Sequence, residues 1–364
     1  MHLKEKIMNQ RLLSICVPVY NRKELFRHSL IAACEASVDF SDKLEIIISD
    51  NASQDDLFSI VKEAKRKYKD INIIYSRNNN NIGMANNVLK IISIASGKYC
   101  WLIGSDDFIK QGGVEKILDI IDQNKDIEFI SCNYDYIFLN KILRENSYNN
   151  MQELLKDKNY LVFHKAPTWS GRVNKLDELI DPLFNNVFLG SIMTGIFKKS
   201  LWDSVDKPNI YWDSFNTFES IYPHCYIYAK AFLGKPAFYC GEPLITVGEG
   251  AREWTTERSL NFWKTSLSLI YFNTFGEIIE TYKKFGLEKN QYYKCKKFTA
   301  ESAGNIFLPI IIRKYILRRH INNSEFLNIK KNIKLYFLTP SFYKGIAKSI
   351  LRPILKPFLN KGKS

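Results

Sequence analysis

Short apolar runs rich in β-branched residues alternate with segments of helical period through the first 140 positions. No other feature constrains the fold of this chain so strongly. The runs occupy 12–20 (LLSICVPVY), 44–49 (LEIIIS), 71–76 (INIIYS), 99–104 (YCWLIG) and 128–139 (EFISCNYDYIFL). Between them, segments 22–37, 55–69, 83–96 and 112–124 repeat their apolar residues at three- and four-residue spacing. Continuous short runs suit strands buried on both faces, and strand–helix alternation suits a parallel sheet covered by helices. The expected class is therefore α/β: a Rossmann-like, mostly parallel sheet flanked by helices, with a helical basic extension at the C-terminus.

The middle of the chain, to about 255, is less regular and rich in aromatics, including Trp169, Trp202, Trp212 and Trp254. Most aromatics at such density belong to a core. Within it, GSIMTGIFKKSLW reads as a strand and turn, and Pro223 suits the first position of a helix. We expect one domain over 1–255, with a ligand-binding half at 11–135 and a second half at 136–255. A helical region at 256–364 completes the organisation.

Charge separates these regions. The formal net charge is +14, yet Lys283 to Ser364 carries 19 Lys and Arg against Glu288, Glu301 and Glu325, a net +16 that leaves −2 for everything before. A nucleic-acid enzyme would carry its basicity around a central groove, so no nucleic-acid partner is expected. Seven scattered cysteines with no C-x-x-C spacing read as reduced thiols of a cytoplasmic protein. The N-terminal apolar run is too short for a signal peptide, and no stretch reaches the roughly 20 apolar residues of a membrane span.

The residues just after each apolar run carry the chemistry. They are Tyr20 and Asn21, then Asp50 and Asn51, then RNNNNIG, then SDD at 105–107. In doubly wound sheets ligands bind outside the carboxyl ends of the strands. Helix capping and turn formation explain any one such loop; four in succession converge on one sheet edge. Asp106 and Asp107 stand out there, because adjacent carboxylates at a strand end are costly unless they face water or a cation. Phosphates need neutralising, and the loops offer only Arg22 and Arg77 nearby. The acidic pair therefore suits a divalent cation, Mg or Mn, whose shell is completed by phosphate oxygens and water.

The segments SICVPVYNR, IIISDNASQDD and NNNIGMANNVLKIISIASGKYCWLIGSDD resemble the nucleotide-sugar-binding half of the family 2 glycosyltransferases, which have the GT-A fold. Within them the chain is most similar to the abequosyltransferase-like group of bacterial surface polysaccharide synthesis, over residues 11–135. The resemblance implies that Pro18, Tyr20 and Asn21 line the nucleotide, with Asp50 against the base. It places Asn81, Gly83 and Asn87 beside the donor diphosphate and ribose, Asp106 on ribose or sugar, and Asp107 on the metal. Two positions depart from the pattern: Asn86 stands where relatives often have a basic residue, and Ser105 where many have a third acid. The general base is implied at the start of a helix in the second half, where Glu219 matches best and Asp213 is the second choice. His224 is a candidate for the diphosphate or metal, or equally a helix-start histidine bonded to backbone. Arg252 and Trp254, on a glycine-flanked loop, are candidates for substrate contact.

The function so implied is inverting transfer of a sugar from a nucleotide donor to a lipid-linked or growing bacterial surface glycan such as O-antigen or capsule. A sugar nucleotidyltransferase is the alternative enzyme, but VPVYNRKEL lacks the glycine-rich loop that grips a triphosphate. A non-catalytic sugar- or nucleic-acid-binding protein would have no use for the acidic pair. The basic, amphipathic tail is expected to hold the protein on an anionic membrane surface, peripherally at the cytoplasmic face, where each Lys or Arg contributes about 1 kcal/mol.

Overall fold

The computed structural model describes residues 11–139, 151–163, 165–184, 188–210, 218–249, 274–316 and 333–359. Asp213, Arg252 and Trp254 lie outside them. The chain divides into two compact units between Arg252 and Glu253.

The first unit is built on one ten-stranded sheet. Its strands are β1 Leu13–Val19, β2 Leu44–Asp50, β3 Asn72–Arg77, β4 Tyr99–Leu102, β5 Asp107–Ile109, β6 Phe129–Phe138, β7 Leu161–Phe163, β8 Ser170–Val173, β9 Gly195–Lys198 and β10 Ala237–Glu249. Helices α1 Lys23–Ser37, α2 Leu57–Lys67, α3 Met84–Ile94 and α4 Gly113–Gln123 follow β1, β2, β3 and β5. The spatial order is β3-β2-β1-β4-β9-β6-β10-β5, with β7 on β6 and β8 on β10. β1 pairs in parallel with β2 and β4, and β2 in parallel with β3. Every residue of β2 is buried, and of β1 only Pro18 is partly exposed, as expected for central strands covered on both faces.

The sheet is mixed, where periodicity alone suggested mostly parallel pairing. β9 enters antiparallel between β4 and β6, so the run at 128–139 does not neighbour the strand before it. The signal for this was a four-residue strand from the aromatic middle section, too short to rank by period. β10 pairs in parallel with β6 and antiparallel with β5, bulging between Cys240 and Ile245 around Pro243.

The core explains the aromatic content. Trp101 donates to the Met193 carbonyl at 2.8 Å, and Trp202 stacks on Phe197 with ring centroids 4.7 Å apart. Trp169 is half-exposed yet lies against Tyr239 at 4.9 Å. A fully buried ring of this size contributes about 1.5–3 kcal/mol. All seven cysteines are free and buried. Farther along, α5 Phe218–Ile221 and α6 Pro223–Ala231 follow, the latter beginning at Pro223 as its fixed φ favours.

The second unit is helical: α7 Phe275–Lys284, α8 Lys289–Ile311 and α9 Pro340–Leu359. α8 and α9 meet backbone to backbone. A β-carbon at Gly304 would sit 1.9 Å from the Phe342 carbonyl oxygen, and one at Gly345 2.0 Å from that of Glu301. Ala300, Ala303, Tyr336 and Phe342 form the core beside this crossing. α9 runs through Pro353 and Pro357; each removes one backbone donor without ending the helix. In α8, Pro309 is followed by a π-helical stretch at Ile312–Ile316. Among the described residues no helix is long and apolar enough to cross a membrane.

Candidate active site

The carboxyl ends of β1 and β2 are stitched together by their loops. Asn21 and Arg22 leave β1 with φ of 55° and 65°, and Ala52 leaves β2 with φ of 61°; this left-handed backbone is uncommon outside glycine and marks a constrained turn. The Asn21 amide donates to Ser53 Oγ at 2.8 Å, Gln54 N donates to Asn21 Oδ1 at 2.9 Å, and Lys23 N donates to Asp55 Oδ2 at 3.0 Å. Tyr20 remains 42% exposed at the edge, above the partly buried Pro18.

Asp50 ends β2 fully buried. Its Oδ1 accepts from Ser53 N at 2.8 Å, and its Oδ2 accepts from Tyr75 Oη at 2.6 Å and from the Arg77 guanidinium. Burial opposes its ionisation, but the bonds from Ser53, Tyr75 and Arg77 outweigh burial and hold the carboxyl below its ordinary range. A carboxyl depressed on folding contributes stability above its unfolded pKa of about 3.9, and loses it as pH falls through the lower native value. Asp50→Asn is therefore expected to lower the unfolding free energy by about 2 kcal/mol at pH 7. Denaturant titrations of both proteins should show the gap closing below about pH 4; a gap independent of pH would contradict this.

Amides join β2 to the β3–α3 loop. Asn51 Oδ1 accepts from Asn78 Nδ2 at 2.8 Å and from Ile82 N at 3.0 Å, while its Nδ2 donates to Asn81 Oδ1 at 2.7 Å. Asn81 Oδ1 also accepts from Gly83 N at 2.9 Å. Asn87 is buried, with Oδ1 accepting from Ser49 Oγ at 2.7 Å and Nδ2 donating to the Ser49 carbonyl at 2.9 Å. Of the three residues implied beside the diphosphate, Asn81 and Asn87 thus act here as braces that fix the loop. Gly83, at φ 82°, opens α3. Asn86 donates to the Ile82 carbonyl at 3.0 Å and the Ile210 carbonyl at 3.4 Å.

The acidic pair sits where β4 gives way to β5. Asp107 is the first residue of β5, pairing with Val247, rather than part of an open loop. Its Oδ2 accepts from Gly104 N at 2.9 Å, and its carbonyl accepts from Ser29 Oγ at 2.7 Å. A β-carbon at Gly104 would lie 2.5 Å from Asp107 Oδ2 and 3.0 Å from Asp106 Oδ1, so the turn around the pair needs glycine. Asp106 Oδ2 lies 2.6 Å from Arg22 Nη1, joining the first loop to the fourth. Burial, then the charge of Asp106, push the Asp107 carboxyl well above its ordinary range. A carboxylate kept costly by burial and by a like neighbour is the kind of group a divalent cation relieves, so Asp107 fits such a ligand and Asp106 neighbours it.

His224, in the first turn of α6, is buried; its Nε2 lies 3.1 Å from the Gly190 carbonyl, and burial draws the ring down to about 4 against backbone bonds at Gly190 and Leu189. Among the described residues no three His, Cys, Asp or Glu side chains gather as a metal cluster. Glu219 lies in the first turn of α5, which packs against α3, the helix whose first turn borders the Asn81–Gly83 loop.

Four features escaped the sequence reading. Arg22 stood out as a cation but not as the partner of Asp106. Glu249 ends β10 two residues beyond Val247, placing it on the face of Asp107. Burial raises the Tyr134 phenol to about 12, against a hydrogen bond with Ser191, and the charges of Glu249 and Asp107 add to the rise. Inside the sheet, Asp135 pairs with Lys110 and accepts from Thr246 Oγ1 at 2.6 Å. None had a signal in one sequence, because each depends on a strand pairing remote along the chain.

Residues 14–180 match the model of Glycosyl transferase family 2. The abequosyltransferase of Salmonella typhimurium is 30% identical over 240 residues, covering 64% of this chain and 66% of that protein. The poly(ribitol-phosphate) beta-glucosyltransferase of Bacillus spizizenii is 32% identical over 97 residues, covering 27% of this chain and 15% of that protein. This chain thus spans just under two thirds of the first relative and much less of the second. S. aureus TarS 1–349 has the same fold, with a TM-score of 0.50 and 13% identity over 89% of both chains. Its complex with UDP-GlcNAc gives 0.50 and 14% over the same coverage. The four strand-end loops and the acidic pair at β5 thus lie within the segment 14–180 that is similar to Glycosyl transferase family 2, on a sheet of the GT-A fold.

Proposed function

We propose that this chain is an inverting glycosyltransferase that moves a sugar from a nucleotide-sugar donor to a lipid-linked or growing bacterial surface glycan. The observation that carries the reading is the acidic pair at the head of β5, beside Arg22 and framed by the loops after β1, β2 and β3. Those loops are pre-tied by hydrogen bonds, so a nucleotide entering them meets a site with little left to order. Pro18, Tyr20, Asn21 and Asp50 border the nucleotide, and Asn81, Gly83 and Asn87 shape the loop over its diphosphate. Asp106 faces the ribose or sugar, and Asp107 would hold Mg or Mn. When bound, that cation supplies charge neutralisation for the departing diphosphate. Glu219 removes the proton from the attacking acceptor hydroxyl, and one displacement at the anomeric carbon inverts its configuration. Asp213 is the second candidate for that proton.

The acceptor is carried by a lipid, and the enzyme works peripherally on the cytoplasmic leaflet. Relatives named as an abequosyltransferase and as a poly(ribitol-phosphate) beta-glucosyltransferase support sugar transfer to a glycan or polymer acceptor. The test is thermal shift of the full chain against a panel of nucleotide sugars, UDP-GlcNAc among them, with and without manganese, followed by donor hydrolysis. One donor should raise the melting temperature only with the cation and release nucleoside diphosphate. A nucleotidyltransferase would instead release pyrophosphate from a nucleoside triphosphate, and that product would overturn the proposal.

A further inference from the structure

The segment Leu335–Leu338 is anchored at one residue and open at the others. Tyr336 is buried in the core of the second unit, its hydroxyl against Gly276. Backbone bonds from Phe337 N to the Ile333 carbonyl at 2.9 Å and from Thr339 N to the Tyr336 carbonyl at 2.8 Å fix the turn. Phe337 and Leu338 are therefore held outward in water by packing, Leu338 at 90% exposure.

The exposed face of α9 continues this surface. Phe342, Gly345 and Ile346 turn to α8, while Tyr343, Ile350 and Leu351 lie along its exposed side, each about half exposed. Phe337 and Tyr343 touch, with centroids 5.9 Å apart. Lys344 and Lys348 run beside the stripe, both reaching Glu301, and Lys334 precedes it. Exposed apolar patches of this kind mark interaction sites. The surrounding charge selects the partner: an apolar stripe edged by lysines, on a region of net +16, complements an anionic bilayer interface.

We infer that Phe337, Leu338, Tyr343, Ile350 and Leu351 form a wedge that enters the interfacial layer of an anionic membrane, with Lys334, Lys344 and Lys348 against the lipid headgroups. This deepens the proposed function, resting on its lipid-borne acceptor. Cutting before Thr339 would remove the helix on which α8 packs, so loss of binding then reports unfolding.

The experiment is flotation of the full chain with phosphatidylcholine vesicles, with and without phosphatidylglycerol, at low and high salt, alongside Leu338→Glu/Ile350→Glu and the milder Phe337→Ala/Leu338→Ala. The wild type should float with anionic vesicles at low salt and be released by high salt. The charged double variant should bind at least about tenfold less and the alanine variant intermediately, with unchanged helicity, melting and donor hydrolysis. Vesicle binding by the glutamate variant equal to wild type overturns the wedge. So does retention of the wild type on single-stranded RNA or a protein partner with no vesicle binding. Vesicle binding without hydrolysis of any donor would leave the wedge standing and remove the transferase reading.

Discussion

Asp107→Asn should leave the protein folded and lower transfer by at least a hundredfold, about 2.7 kcal/mol of transition-state stabilisation. The substitution keeps an oxygen to accept from Gly104 N, so the turn at the head of β5 survives. It removes a carboxylate that burial and Asp106 make costly to ionise, so stability should hold or rise slightly. What it cannot replace is the charge offered to a cation on the diphosphate. Steady-state turnover and a melting curve on one preparation decide the matter. Near wild-type turnover would move the cation site away from β5, while a large fall in melting temperature would make lost activity uninformative about chemistry.

Glu219→Gln should lower kcat by about 10²- to 10⁴-fold with donor affinity unchanged, since a general base acts on the acceptor hydroxyl rather than the nucleotide. Glu249→Gln is the necessary companion. Glu249 lies on the same sheet face as Asp107, whereas Glu219 approaches through α5 and its contact with α3. If Glu219→Gln keeps kcat and Glu249→Gln loses it, proton removal belongs to the end of β10. If both retain turnover, Asp213 becomes the candidate.

The strands and helices of the first 124 residues follow their apolar period closely. The segment at 83–96 becomes α3 at Met84–Ile94, and the run at 44–49 becomes β2 at Leu44–Asp50. Local pattern suffices there because each element is buried on the faces its period marks. It fails where pairing crosses the chain. β5 is three residues long and exists because β10 lies beside it, and β9 inserts between strands that the alternation would place together. The site divides the same way. Asp50, Asp106 and Asp107 were visible as acids after apolar runs, but the partnership of Arg22 with Asp106 requires two loops 84 residues apart to meet. His224 was legible at the start of a helix, but its contact with the Gly190 carbonyl, 34 residues away, was not.

The ties among Ser49, Asn51, Asn78, Asn81 and Asn87 have a consequence for donor capture across growth conditions. Amides and hydroxyls carry no net charge, so dissolved ions screen these bonds little and no proton leaves them near neutrality. The β3–α3 loop keeps its shape as ionic strength changes, and adds no negative potential facing the donor of the proposed reaction. Any dependence of donor affinity on salt then reports the diphosphate and its counter-charges, with the scaffold constant beneath it.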